Sequence, residues 1–388
     1  MDPYAPPDYL LIDDLLTDEE KLVRGTVREF VDQRVLPIIA KCFREERFPA
    51  ELLPEIAGLG LLGANLEGYG CAGLSNLAYG LVLAELERGD SGLRSFVSVQ
   101  GSLAMYAIHS LGSEEQKERW LPPMARGEKI GCFGLTEPDF GSNPSGLQTR
   151  ARRVADEYVL SGNKMWITNG SIADLAVVWA RQDDEIVGFI VEKGSPGFST
   201  TLQKGKWSLR ASVTSELHFE DCRIKASAKM PKALGLKAAL SCLNQARAGI
   251  SWGAIGAASA CYSEALQYSK SRIQFGKPIG AFQLVQAKLV DMLTEITKAQ
   301  LVAHRLSVLK DQGKARPEMI SLAKRNNVAM ALEVARTARD ILGANGVTDE
   351  YCVGRHMANL ESVKTYEGTH DIHTLIIGND ITGHAAFA

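Results

Sequence analysis

The sequence is poor in the features that classify a protein quickly. Its 388 residues include only seven cysteines, an odd number with no Cys-x-x-Cys pair, which argues against structural zinc and against a disulfide framework. No apolar run approaches the roughly 18 residues that a membrane-spanning helix requires. Basic and acidic side chains, 43 and 46 in number, nearly cancel, so no field of one sign would attract nucleic acid. We therefore expect a soluble globular protein, without a nucleic-acid or membrane partner, that recognises any anionic ligand locally.

Signature motifs of several enzyme classes are also missing. The chain has no Walker loop, no His-Glu-x-x-His pair, no Gly-x-Ser-x-Gly elbow and no kinase set. Its acidic, proline-containing start, MDPYAPPDYLLIDD, differs from a secretory signal and from an Arg/Ser-rich transit peptide. This start predicts a cytoplasmic protein, or one of the mitochondrial matrix if a presequence has been removed.

Hydrophobic periodicity makes the first part of the chain helical. Thr17 and Glu20 form a capping box ahead of a helical pattern, which Pro37 is expected to end or bend. Further helical patterns cover 51–59, 77–87 and 114–125. Residues 1–130 are therefore predicted to form a helical domain.

Residues 131–233 have the short apolar runs that are typical of strands. The runs are 158–160, 165–167, 175–180, 186–191 and 216–219, separated by turn residues such as Ser161-Gly162-Asn163. From about residue 234 the period of long helices returns, through 261–273, 283–311, 317–342 and 371–382. The predicted fold is α+β multidomain: an N-terminal helical domain (1–130), a middle β-barrel or β-sandwich domain (131–233) and a C-terminal four-helix bundle (234–388). A ligand is expected where the three parts meet.

Three local segments carry more specific information: 134–142 (GLTEPDFGS), 271–279 (SRIQFGKPI) and 366–369 (YEGT). Their order and spacing resemble the acyl-CoA dehydrogenase family over nearly the whole chain. Other segments resemble the glutaryl-CoA dehydrogenase branch of that family in particular. These are 69–73 (YGCAG), 85–88 (ELER), 90–95 (DSGLRS), 324–327 (KRNN) and 366–373 (YEGTHDIH).

Glu367 is the candidate catalytic base that this resemblance implies. Removing an α-proton from a thioester requires a carboxylate above that carbon, in a dry pocket where desolvation raises its basicity. Some relatives place the base just before the arginine of a mid-chain helix, and here Ala246 occupies that position before Arg247. Without the resemblance, Glu367 would be interpreted as a glutamate that caps a bundle turn before Gly368.

The resemblance also implies FAD, because the β-carbon of the substrate loses hydride to a flavin. The residues expected to line the flavin are Phe133, Leu135, Thr136, Gly141, Ser142, Trp166, Ile167 and Thr168. Those expected to reach FAD from a neighbouring subunit are Arg272, Phe275, Gln283, Leu342 and Gly343, and Thr369 and Asp371 complete the cofactor set. Without the resemblance, Trp166 and Ile167 would be core residues of a hairpin, and Arg272 a solvated charge at a helix end. The resemblance therefore also implies an oligomer, namely a homotetramer.

Substrate choice is predicted to depend on Arg94, which follows Glu87 by seven residues, about two turns if one helix runs through. A guanidinium at the end of an acyl pocket would hold a terminal carboxylate by paired charge-assisted hydrogen bonds, with Ser95 and Ser98 as further donors. For an arbitrary arginine, a solvated Arg94 paired with Glu87 or Asp90 would be the better interpretation, and it is the resemblance of segment 90–95 that favours the recognition role. The resemblance adds substrate contacts at Ser142, Asn244, Arg247 and Gly368, and a tuning role for Tyr366 and Glu87.

The implied reaction oxidises glutaryl-CoA, releases CO₂ from its γ-carbon and protonates the resulting dienolate from Glu367 to give crotonyl-CoA. Electrons would pass to an electron-transfer flavoprotein. A second hypothesis is an acyl-CoA dehydrogenase for another short acyl or dicarboxylyl chain, without decarboxylation. A third is a non-catalytic binding module, since fold alone does not fix function. His370 and His373 are expected to pack near the flavin, and no metal is assigned.

Overall fold

Helices precede and follow a central sheet in the computed structural model, which describes residues 7–386. Within these residues, the α-helices ahead of the sheet are α1 (Asp18–Phe30), α2 (Leu36–Arg44), α3 (Leu53–Gly58), α4 (Asn76–Gly89), α5 (Ser91–Ser98), α6 (Tyr106–Leu111) and α7 (Glu114–Ala125). Those after it are α8 (Gly235–Ser271), α9 (Gln283–Asp311), α10 (Pro317–Ile341), α11 (Cys352–Thr365) and α12 (His370–Thr382).

The strands lie between these two groups of helices. They are β1 (Gly131–Gly134), β2 (Arg150–Val154), β3 (Glu157–Thr168), β4 (Leu175–Gln182), β5 (Glu185–Glu192), β6 (Phe198–Leu202), β7 (Thr214–Lys225) and β8 (Lys229–Leu234). In the order β6-β7-β3-β2-β4-β5-β8 they form a mixed sheet, and β1 pairs in parallel with β4. A short hairpin, β9 (Ile273–Gln274) with β10 (Lys277–Pro278), connects α8 to α9. The predicted class, helical parts on either side of a β part, is confirmed.

The first helix begins where its capping box predicts and continues past Pro37. Thr17 Oγ1 accepts from the Glu20 backbone N–H, and the Glu20 carboxylate accepts from the Thr17 N–H. A π-helical turn, Val31–Val35, follows α1, and α2 then runs to Arg44 with Pro37 in its first turn. Pro37 has no N–H to donate to the preceding turn, and the helix accommodates it with the π-helical turn just ahead of it instead of ending.

The predicted turn at Ser161-Gly162-Asn163 is wrong. These residues lie inside β3, which pairs with β7 with a shift in register between Leu160 and Gly162. The φ angle of Gly162 is 142°, and a Cβ at this position would lie 2.6 Å from Thr149 Oγ1. A glycine in a β-prone sequence can indicate a bulge or a close backbone approach as well as a turn. Gly162 marks a bulge inside β3 and not the turn that the sequence predicted.

Helix α8 is central to the C-terminal bundle and begins at Gly235, close to residue 234, where the helical period is predicted to return. Its amphipathic pattern is clear only from residue 261, because residues 246–258 are buried on every side and leave no polar face to reveal a helical period. It packs between α4 and α10. A Cβ at Gly256 would lie 1.8 Å from Ala84 O, so the close approach of α8 to α4 requires glycine. Helix α11 was not predicted, since His356 and Asn359 interrupt its buried apolar stripe.

The packed helices hold the candidate site in place. Buried apolar residues of α4, α8, α10 and α11 form one core of the bundle, and the strands of the sheet contribute to a core of their own. The candidate site lies where α4, α5, α8 and α10 meet the turn between α11 and α12. Among the described residues, no helix combines the length and the apolar character needed to cross a bilayer.

Candidate active site

The turn between α11 and α12 carries Glu367 in a conformation that side chains rarely adopt. Glu367 has φ 51° and Gly368 has φ 91°, both in the left-handed region. For a residue other than glycine this costs on the order of 1–3 kcal/mol and persists only where the surroundings enforce it. Arg247 Nε donates to Glu367 O at 2.7 Å, and Lys324 Nζ donates to Tyr366 O and Gly368 O, each at 2.6 Å. Buried cations therefore fix all three carbonyls of the turn.

One oxygen of the Glu367 carboxyl group is free of hydrogen bonds. Its Oε2 atom is buried and has no hydrogen-bond partner among the described residues. Burial raises the pKa of this carboxyl above its usual range, although the charges of Arg94, Lys324 and Arg247 act in the opposite direction. Because desolvation outweighs three cations, the carboxylate is a stronger base than an exposed glutamate and is free to accept a proton.

Arg94 and Glu87 form a buried ion pair across a break between two helices. Helix α4 ends at Gly89, and Asp90, with φ −165°, begins α5 by accepting a hydrogen bond from Gly92 N. The single helix assumed for these residues is therefore absent, yet Arg94 Nε lies 2.6 Å from Glu87 Oε2. The two side chains are 1% and 0% exposed, which excludes the alternative of a solvated surface pair.

Arg94 links this ion pair to Tyr366 and to the turn of Glu367. Its Nη2 donates to Tyr366 Oη, and Ser95 Oγ lies 3.4 Å from the same phenol oxygen. Burial raises the pKa of Tyr366 to about 12, so the phenol stays protonated. Ser98 is buried one helical turn beyond Ser95, and its Oγ has no partner among the described residues. Polar groups therefore gather on one face of α5 beside Glu367.

Asn244, Arg247 and Gly368 lie on the other side of the turn. Arg247 Nη1 donates to Asn244 Oδ1 at 3.1 Å. A Cβ at Gly368 would lie 2.9 Å from Nε2 of the buried His373. Burial lowers the pKa of His373 to about 3, so this imidazole is neutral. Among the described residues, no three His, Cys, Asp or Glu side chains are grouped as a metal site would require.

The structure brings two of the predicted cofactor segments together. The Met165 N–H, next to Trp166, donates to Thr136 O at 2.9 Å and so joins β3 to the segment after β1. Phe133, Leu135 and Ile167 are buried, and Thr168 ends β3. The hairpin-core interpretation fits Ile167 but is wrong for Trp166, which is 59% exposed with φ 62°. Gly141 and Ser142 lie exposed in the loop between β1 and β2.

The remaining predicted cofactor residues lie elsewhere on the chain. Arg272, Phe275 and Gln283 are exposed around the β9–β10 hairpin, with Phe275 93% exposed. Leu342 is buried at the end of α10, and Gly343 follows it with φ 59°. Thr369 caps α12, and Asp371 is exposed in its first turn. In the part of the chain described, no hydrogen bond connects these residues to the Trp166 strand.

Two buried lysines, Lys324 and Lys164, stabilise the segments that form the candidate site. The sequence analysis assigned neither of them to the site. Lys324 holds the Glu367 turn, and its position on the buried face of α10, four residues from Ile320 and from Val328, was a usable signal. Lys164 is 0% exposed and lies 2.8 Å from Glu137 Oε1. It also donates to Leu135 O, so this pair fixes the segment after β1 to β3. Lys164 had no such signal in the sequence. It lies in a strand two residues before Trp166, and the pattern of polar and apolar residues around it does not indicate an ion pair with Glu137.

The chain matches domains of one protein family along most of its length. Residues 17–128 match the acyl-CoA dehydrogenase N-terminal domain, residues 132–222 the middle domain and residues 234–382 the C-terminal domain. Short-chain specific acyl-CoA dehydrogenase, mitochondrial, from Homo sapiens is 36% identical over 373 residues, which cover 94% of this chain and 90% of that protein.

Solved structures give the same result. A crystal structure of glutaryl-CoA dehydrogenase from Mycobacterium smegmatis is 57% identical, with a TM-score of 0.96, and the match covers 97% of this chain and 98% of that one. A glutaryl-CoA dehydrogenase from the same organism in complex with FADH2 is 53% identical, with a TM-score of 0.98 and coverage of 99% and 100%. The chain belongs to the acyl-CoA dehydrogenase family.

Proposed function

We propose that this protein is an FAD-dependent enzyme that oxidises glutaryl-CoA and decarboxylates it to crotonyl-CoA and CO₂. The observation that carries the proposal is the arrangement of Glu367, with its buried and unbonded Oε2, beside Tyr366 and the buried Arg94–Glu87 pair. The similarity to glutaryl-CoA dehydrogenases at 53–57% identity over nearly the whole chain supports the same substrate.

The residues present fit a flavin. Trp166 presents an exposed ring in a left-handed backbone conformation, and such strain is typical of ligand sites. Next to it, Leu135, Thr136, Ile167 and Thr168 would form the wall, and Phe133, Gly141 and Ser142 its edge. Arg272, Phe275, Gln283, Leu342 and Gly343 would reach the diphosphate and adenosine from a neighbouring subunit, with Thr369 and Asp371 nearby. When bound, FAD supplies the acceptor for the hydride that leaves the substrate β-carbon.

Proton removal is the part of the reaction that we assign to Glu367. A thioester placed against Gly368, which has no side chain to obstruct it, would present its α-carbon to Oε2. Asn244, Arg247 and Ser142 would contact the CoA part of the substrate. The raised pKa of Glu367 matches the base to a weakly acidic C–H bond, and substrate binding excludes further water.

Arg94 is the proposed recognition residue for the terminal carboxylate of the acyl chain. Its guanidinium would donate charge-assisted hydrogen bonds, with Ser95 and the unpartnered Ser98 as additional donors. Glu87 compensates its charge, so the end of the pocket is close to neutral. A neutral pocket holds a carboxylate less firmly than an unpaired cation would, which favours its conversion to CO₂.

Decarboxylation follows the oxidation in two steps, bond cleavage and then protonation. The bond between the γ-carbon and the carboxylate breaks, CO₂ leaves, and the electron pair enters a dienolate conjugated to the thioester carbonyl. Glu367, which holds the α-proton, donates a proton to the γ-carbon and is restored as a carboxylate. Tyr366 and Glu87 would tune this step, since the phenol contacts Arg94 at the carboxylate end of the pocket.

A second candidate function is dehydrogenation of another short acyl or dicarboxylyl chain without decarboxylation. It is favoured by the existing partners of Arg94, because Glu87 and Tyr366 already engage its guanidinium. In either case we propose an electron-transfer flavoprotein as acceptor, a homotetramer as the assembly, and the cytoplasm or the mitochondrial matrix as the compartment.

Anaerobic mixing of the purified flavoprotein with glutaryl-CoA tests the proposal. We expect bleaching of the flavin absorbance together with CO₂ release and crotonyl-CoA by mass. Bleaching with glutaconyl-CoA and no CO₂ would establish the second candidate function. No bleaching with glutaryl-CoA or butyryl-CoA would contradict both.

A further inference from the structure

We propose that Lys324 is a positioning residue for Glu367: its ammonium group clamps the turn that carries this carboxylate and supplies a positive charge that keeps it ready to accept a proton. The inference rests on the proposed function, in which Glu367 removes the α-proton. Lys324 touches neither substrate nor cofactor in this role and acts through the turn.

The first support is the geometry of the turn. Lys324 comes from α10, is 1% exposed, and reaches across to the chain 42 and 44 residues further on. The two carbonyls that it binds flank the left-handed Glu367 on either side. Without these bonds, the turn could relax toward an ordinary backbone conformation and carry Oε2 away from its buried position. Misplacing a catalytic group by about 1 Å lowers a rate by about 100-fold.

The second support is the set of charged groups that face Glu367. Arg94 on α5, Arg247 on α8 and Lys324 on α10 all favour its ionised form, while Tyr79 on α4 faces it as a neutral phenol. Tyr366 is protonated and His373 on α12 is neutral, as their shifted pKa values require. The Glu87 carboxylate is engaged by Arg94.

Lys324 differs from the two arginines in being able to lose its proton. Burial lowers the pKa of Lys324 to about 7, although the Glu367 carboxylate opposes this change. An arginine keeps its charge at any ordinary pH. Lys324 is therefore the one of these three cations whose charge a change of pH near neutrality would alter.

Three variants of the FAD-containing enzyme test the inference. Lys324→Gln keeps a neutral donor for the carbonyls and loses the charge, whereas Lys324→Met loses both. Lys310→Met is the matched control, because Lys310 is a partly buried lysine of the same bundle that donates to Gln245 Oε1 and not to the turn. The measurement is the rate of flavin reduction by glutaryl-CoA as a function of pH, with FAD content and melting temperature recorded for each variant.

We expect the acid limb of the pH profile to move to higher pH in both Lys324 variants, because loss of a nearby cation raises the pKa of Glu367. We also expect Lys324→Met to be slowed by about 100-fold and Lys324→Gln by less. If Lys324→Met does not fold, the pH profile of Lys324→Gln decides. An unchanged acid limb in Lys324→Gln, or the same shift in Lys310→Met, would overturn the inference.

Failure of the inference can be told from failure of the proposed function. If wild-type protein bleaches with an acyl-CoA and Glu367→Gln does not, the base assignment holds, and only the Lys324 profiles decide the inference. If wild-type protein bleaches with no acyl-CoA, or Glu367→Gln bleaches as fast as wild type, the proposed function itself is wrong and the inference falls with it.

Discussion

Replacing Arg94 with alanine should lower both stability and substrate selectivity, and the two effects can be separated. Arg94 and Glu87 are almost fully buried, with 2.6 Å between Nε and Oε2. Removing only the guanidinium leaves the Glu87 carboxylate buried without its charge partner, which destabilises a folded protein by about 3–5 kcal/mol. We therefore expect a fall of this size in the free energy of unfolding of Arg94→Ala.

A double variant isolates substrate recognition from this loss of stability. In Glu87→Gln/Arg94→Met no charge stays buried without a partner, and replacing a buried pair by neutral side chains of similar size leaves stability nearly unchanged. If Arg94 binds the substrate carboxylate, this variant loses at least one hydrogen bond to a charged group, worth about 1.5–3 kcal/mol. At 1.36 kcal/mol for each factor of ten, kcat/KM for glutaryl-CoA should fall about 10- to 150-fold.

The assay compares glutaryl-CoA with butyryl-CoA in anaerobic flavin reduction, alongside urea unfolding of each variant. We expect the double variant to lose activity with glutaryl-CoA and to keep most of it with butyryl-CoA, which has no terminal carboxylate. Equal losses with the two substrates would refute carboxylate recognition and leave Arg94 a structural residue. An unfolding free energy of Arg94→Ala equal to that of wild type would refute the burial argument.

Four further results are expected. Glu367→Gln should bind FAD and acyl-CoA but reduce the flavin about 10²- to 10⁴-fold more slowly; near-wild-type turnover in stopped flow would exclude it as the base. Flavin reduction by the wild type should be lost as pH falls through the pKa of Glu367, which lies above that of an ordinary carboxyl because burial disfavours the ionised form; a midpoint at the usual glutamate value would contradict this. Gly253→Ala should lower the melting temperature, since its Cβ would lie 1.9 Å from Glu87 Oε2; an unchanged melting curve would show that the helices can separate. Phe275→Asp should shift size-exclusion chromatography toward a smaller species and weaken FAD retention, whereas an unaltered oligomer would remove Phe275 from the subunit interface.

The starts of helices α1 and α7 were predictable from the sequence because the residues that determine them are close together in the chain. The capping box at Thr17 begins α1, and α7 covers the predicted range 114–125, where Ser113 and Gln116 form a second capping box. The turn predicted at 161–163 is wrong because its cause is not local: Gly162 is required by the close approach of Thr149, which immediately precedes β2. The domain boundaries at 130/131 and 233/234 stay predictions.

The members of the candidate site were predictable as residue types, but their arrangement was not. Tyr366, Glu367 and Arg94 were named from the segments that resemble the family. Two of their contacts join residues far apart in the sequence: Arg247 and Glu367 are 120 positions apart, and Arg94 and Tyr366 are 272 apart. Lys324 lies in the resembling segment 324–327 but received no role there, although its helical phase puts it inside.

The cations around Glu367 hold its turn in place without binding its carboxylate. Arg247 and Lys324 direct hydrogen bonds to backbone carbonyls, and Arg94 to Glu87 and Tyr366, so no described cation forms an ion pair with the Glu367 carboxylate. Had one done so, the paired carboxylate would be a weaker base and its oxygen would be blocked. Because the cations stabilise the turn while the oxygen stays free, the same three charges hold the base in position and leave it able to accept a proton.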